Sequence, residues 1–144
     1  EIFIIYLPIL FHGIYGVYIA FTSKSNVGNY SSFRNWMFVL QRFSGVIAFI
    51  FIAVHVFQTR VQVFFGAEVN FDMVADIVTN PFWFAFWFVG IIATVFHFAN
   101  GLWSFAVTWG ITQSAKSQQI MAYVSLAVFV VVSVIGIQAL FAFI

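Results

Sequence analysis

Between Ile77 and Ala115 the chain runs 39 residues without an Asp, Glu, Lys or Arg. Three more such gaps frame it. Ile2 to Ser23 is 22 residues without a charge, Ser117 to Ile144 is 28, and Trp36 to Thr59 is 24 interrupted only by Arg42. Roughly 20 apolar residues, wound as a helix, cross roughly 30 Å of hydrocarbon. Each gap therefore supports one crossing, and none is long enough for two. Membrane strands would alternate in segments of roughly ten residues, and the run Phe49 to Val56 does not alternate. The expected fold is an all-α membrane protein, a bundle of four transmembrane helices over about 2–22, 36–59, 82–109 and 119–143, in one domain covering 1–144.

Composition says the same thing more bluntly. Hydrophobic residues make up 64% of the chain and charged residues 6%, with a mean hydropathy of +1.08. Soluble domains sit near 45–50% apolar and about 25% charged, and disordered chains lie further still in the polar direction. The net charge of +1 leaves nothing to track a nucleic-acid backbone. Cysteine is absent, which removes disulfides, thiolate metal sites and covalently attached haem. Any haem must be held non-covalently. The first residue is Glu1, opening directly onto apolar sequence, so the natural start is expected upstream.

Punctuation places the helix ends. Asn80-Pro81 supplies an N-cap and a first-turn proline for the third span. Pro8 lies inside the first span, removes a backbone donor and predicts a kink. Between the second and third spans, Phe71, Val74, Ile77 and Val78 share one helical face with Asp72 and Asp76 off it, which predicts a short interfacial helix over about 71–78. Lys24 and Arg34 flank the first loop, with Arg42 just inside the second span, and Lys116 lies in the last loop. The middle loop sets Arg60 against Glu68, Asp72 and Asp76. Positive loops stay in the cytoplasm, so the first and last loops face inward and the middle loop outward.

The chain has three histidines, His12, His55 and His97, all within expected spans. Ionisable residues at membrane depth tend to serve function. His12 lies nine residues before the inner end of its span at Phe21, and His97 twelve before Trp109. At 1.5 Å per residue these depths differ by about 5 Å. Two imidazoles at one level on different helices are what a six-coordinate haem iron takes from a bundle. His55 sits at another level, five residues before Arg60. Gly16 and Gly101 each follow a histidine by four residues and share its face, as does Gly90, seven before His97. They could leave room for a flat macrocycle or let helices pack closely. Arg42 could reach haem propionates or a quinone, or snorkel to the inner interface. Tyr15, Tyr18, Asn100 and Trp103 are candidate lining groups. Trp36, Trp83, Trp87 and Trp109 suit an interfacial belt.

With the histidines placed, the chain resembles a known family: the cytochrome b membrane-anchor subunits of succinate dehydrogenases of the Bacillus type, related to the single-subunit anchors of fumarate reductases. The stretches that carry the resemblance are Phe11-His12-Gly13-Ile14-Tyr15-Gly16-Val17-Tyr18, Phe33-Arg34-Asn35-Trp36-Met37-Phe38-Val39-Leu40-Gln41-Arg42, Gly66-Ala67-Glu68-Val69-Asn70-Phe71-Asp72 and Phe96-His97-Phe98-Ala99-Asn100-Gly101-Leu102-Trp103-Ser104-Phe105. The resemblance implies five transmembrane helices, of which the first is missing here, and two haems b, each held by two histidines. It assigns His12 and His97 to the inner haem and His55 to the outer one, whose second ligand lies on the missing helix. It further implies a bacterial cytoplasmic membrane, iron–sulfur and flavoprotein partner subunits, and electron transfer from succinate to menaquinone. Arg42-Phe43-Ser44-Gly45 is similar to an arginine–serine pair that contacts quinone in related enzymes, but on a different helix. The chain has no flavin or cluster motif and is not a complete enzyme by itself. Two other readings stay open: the cytochrome b anchor of a hydrogenase or formate dehydrogenase, and a haem-free transporter or scaffold. Missing intramembrane carboxylates weaken a proton-coupled carrier.

Overall fold

The computed structural model describes residues 2–144, and the regular elements within them are all helical. Five α-helices follow one another: α1 Leu7–Thr22, α2 Phe33–Gln58, α3 Phe71–Val78, α4 Pro81–Thr108 and α5 Ala115–Phe141. Four segments are long and apolar enough to cross a membrane: Ile2–Thr22, Phe33–Phe65, Pro81–Thr108 and Ala115–Phe141. The protein is an all-α membrane bundle.

Each helix end has a local cause. The Ser32 hydroxyl accepts the Asn35 N–H at 3.3 Å and starts α2. Asn80 Oδ1 accepts the Phe82 N–H at 2.9 Å ahead of Pro81, whose missing N–H falls where a helix has no acceptor for it. Ser114 and Ser117 form a reciprocal capping box, so α5 begins in the polar stretch before its apolar run. Pro8 does not kink α1 from within. It stands in the first α-helical turn, and Ile2–Tyr6 before it winds as a wider π-helix. Beyond α2 the chain passes through a 3-10 segment, Arg60–Phe65, and turns at Gly66, where φ of 88° favours glycine.

The long helices run antiparallel in sequence. Gln41, early in α2, meets His97 late in α4, while Gln58, late in α2, meets Trp87 early in α4. Phe84 meets Phe141, and Phe96 meets Phe129, across α4 and α5. Helices α2, α4 and α5 pack side by side, and α1 leans on α2. Small residues allow the close approaches: Gly90, Ala93, Ala99 and Ala106 are buried along α4, and a Cβ on Gly90 would run into the Phe51 ring. Phe51, Val78, Trp87 and Leu140 form the buried cluster at the end of the bundle carrying the α2–α4 connection. Helix α3 turns Val74, Ile77 and Val78 onto that cluster and stacks Phe71 on Phe143 at 4.8 Å. Its apolar face is thus spent on the protein's own helix ends. Large apolar side chains on the outer faces of α1, α2, α4 and α5, such as Phe11, Phe43, Phe98 and Val131, are exposed. Hydrocarbon covers such surface in a membrane.

Candidate functional site

A cavity of about 390 Å³ opens among α1, α2 and α4. Pockets of roughly 300–1,000 Å³ are the usual size for a cofactor or small ligand. His12 of α1 and His97 of α4 both line it, together with Gly16, Gln41, Arg42 and Gly45. The two imidazole centres lie 6.1 Å apart, with their planes at 74°. A histidine–metal bond is about 2 Å long, and a ring nitrogen sits about 1 Å from its ring centre. Two imidazoles sharing one metal therefore place their centres about 6 Å apart, close to the separation here.

The hydrogen bonding of His97 prepares one of its nitrogens. His97 Nδ1 lies 3.0 Å from the Gln41 backbone carbonyl. A carbonyl only accepts, so Nδ1 carries the proton and Nε2 keeps its lone pair. Metal-binding histidines commonly donate their other nitrogen to a carbonyl or carboxylate in this way. Gly16 faces open space, with no atom beyond its own stretch of helix within 4 Å of where its Cβ would be. Among the described residues no three His, Cys, Asp or Glu come together. Two imidazoles suit an iron whose other positions a macrocycle fills. The donor set fits a haem iron, and the cavity opens beside both rings.

The other expected residues divide. Arg42 lines the cavity, but its guanidinium is engaged elsewhere: Nε donates to Ser23 Oγ, an Nη donates to the Phe38 carbonyl at 3.0 Å, and the group stacks 3.2 Å over the Phe38 ring. It ties the start of α2 to the end of α1. Gly101 lies against the Gln41 side-chain amide, 3.4 Å from a would-be Cβ, and Gly90 against Phe51, so neither borders the cavity. Tyr15 and Tyr18 stack on one another on the exposed side of α1. Asn100 and Trp103 line a separate cavity of about 220 Å³ between α2, α4 and α5.

His55 lies well apart from the other two. Its ring packs edge-on to Trp87 at 4.8 Å and against Phe51 at 5.8 Å, and its buried Nδ1 has no hydrogen-bond partner. Trp87 does not belong to an interfacial belt. It is 7% exposed, because Gln58 Oε1 accepts its indole N–H at 3.0 Å and removes the cost of burying it. Sequence reading missed Gln41 as a site residue and Gly45 as a neighbour of His97. Their contacts depend on how α2 is rotated against a helix 56 positions further along the chain, and no local pattern reports that.

Comparison with known proteins identifies the family of the chain. The family model described as succinate dehydrogenase/fumarate reductase transmembrane subunit matches residues 21–136. The succinate dehydrogenase cytochrome b558 subunit of Bacillus subtilis (strain 168) is 57% identical over 144 residues, which is all of this chain and 71% of that protein. No solved structure matches the chain. The hydrogenase, formate dehydrogenase and haem-free readings give way to the family match. Four apolar helices, two of which bring histidines to one cavity, belong to a multi-pass subunit of the bacterial cytoplasmic membrane, and the chain belongs to the succinate dehydrogenase/fumarate reductase transmembrane subunit family.

Proposed function

We propose that the chain holds a b-type haem between His12 and His97 and links a soluble iron–sulfur subunit, with its flavoprotein partner, to menaquinone in the membrane. The observation that carries this reading is the His12–His97 pair: two rings 6.1 Å apart across a cavity, with His97 Nε2 left free by the bond at Nδ1. When bound, the haem supplies one-electron transfer between its ferric and ferrous states. His12 and His97 hold the iron from opposite helices, and Gly16 leaves space beside His12. Apolar residues such as Val46, Phe49 and Phe98 keep water from the site. The orphaned Nδ1 of His55 supports a second, outer site, whose other histidine would come from outside these 144 residues. Lys24, Arg34 and Lys116 all lie at the end of the bundle bearing the α1–α2 and α4–α5 connections, the end proposed to face the cytoplasm and receive the iron–sulfur subunit.

The test is a reduced-minus-oxidised spectrum and redox titration of the purified complex. A b-type α band is expected. His12→Ala and His97→Ala should each remove the same component, and His55→Ala should spare that component and disturb another. Absence of the band, or loss of different components from the His12 and His97 variants, overturns the reading.

A further inference from the structure

The Gln41 carbonyl that accepts the hydrogen bond from His97 Nδ1 stands in crowded surroundings. Gly45, one turn along α2, lies directly beneath the imidazole. A Cβ there would come 2.8 Å from His97 Cε1 and 3.0 Å from Nδ1. Only a residue without a side chain lets the ring settle close enough to donate to Gln41. The Ser44 hydroxyl, itself buried, donates to the same carbonyl at 3.2 Å. A carbonyl has two lone pairs, and its helical acceptor role already engages it, so Ser44 and His97 compete for its remaining capacity. The Gln41 side chain pins the other partner. Its amide donates to the His97 backbone carbonyl at 3.0 Å, and its Oε1 accepts from Asn100 Nδ2 at 2.7 Å. One residue of α2 thus holds the ring, the backbone and the next turn of the ligand helix.

We propose that the Gln41–Gly45 turn of α2 is a positioning element that fixes the tautomer and orientation of His97 and so tunes the inner redox centre. The proposal rests on the haem reading above. A histidine that donates from Nδ1 to a carbonyl is a more basic ligand through Nε2. A more basic ligand favours ferric iron and lowers the midpoint potential. Weakening the bond raises the potential, and strengthening it lowers the potential.

Two adjacent residues should therefore act with opposite sign. Gly45→Ala pushes a methyl group into the imidazole and lengthens the bond from Nδ1, so the potential should rise. Ser44→Ala removes the competing hydroxyl and frees the Gln41 carbonyl for His97, so the potential should fall. Gln41→Leu keeps the backbone acceptor but releases the pin on the His97 backbone. It should change the ferric low-spin EPR signature, which reports the angle between the two imidazole planes, at unchanged haem content. The measurement is a redox titration with EPR on the purified complex, following the component that His97→Ala eliminates. Opposite shifts from Gly45→Ala and Ser44→Ala support the proposal, and shifts of one sign, or none, overturn it. If Gly45→Ala loses the haem, Ser44→Ala and Gln41→Leu decide alone: a lowered potential and an altered signature support the proposal, and wild-type values in both overturn it. A wild-type complex with no b-type band sinks the haem reading itself and is recognised before any variant is made.

Discussion

Trp87 and Gln58 show how a polar atom can stiffen an apolar bundle. The indole nitrogen is buried beside His55 and has one acceptor, Gln58 Oε1. Trp87→Phe keeps much of the ring but leaves that oxygen without its donor, which costs about 1–3 kcal/mol. Thermal unfolding in detergent should show the loss, together with a change at whatever centre His55 serves. Gly90 makes a steric version of the same point. Gly90→Ala would force the Phe51 ring aside, and overpacking of this kind costs about 1–3 kcal/mol. The nearness of His12 and His97 was legible from depth, because 1.5 Å of rise per residue turns sequence distance into height. Helical angle was less informative. It placed Gly90 and Gly101 on the His97 face, yet both meet side chains of α2, since the face of a helix is shared between the cavity and the neighbouring helix.

At the level of elements, charge gaps located the four long helices, and capping residues moved their ends. α5 begins at Ala115 because Ser114 and Ser117 cap it, whereas hydropathy alone starts the span nearer Gln119. Ser114→Ala should cost about 1 kcal/mol, read as a lower unfolding temperature with no change at the His12–His97 cavity. α3 was legible as an amphipathic helix, but what its apolar face meets was not. A pattern of faces does not distinguish headgroups from helix ends. The difference is testable at Val78, which is 1% exposed. Val78→Asp would bury a carboxylate with no partner, at a cost of several kcal/mol. Helix α3 should then detach, and limited proteolysis should cut the α2–α4 connection faster than in the wild type.

Across the whole molecule, the basic and acidic loops fall at opposite ends of the bundle. Single cysteines replacing Ser25 or Gln113 should resist an impermeant thiol reagent in intact cells, and one replacing Glu68 should react. Reaction at both of the first two from outside would reverse the orientation and the end at which a soluble subunit docks. Unlike its neighbours, α1 has no buried residue. It rests on α2 through Gly13 and Phe49 and reaches α4 across the His12–His97 contact. α1 is thus the wall of the cavity that reaches its neighbour through His12. A ligand bond at His12 would latch it. Hydrogen exchange along α1 should therefore slow on loading, and His12→Ala should abolish that slowing, so the cofactor would serve as a rivet between two helices as well as a carrier of electrons.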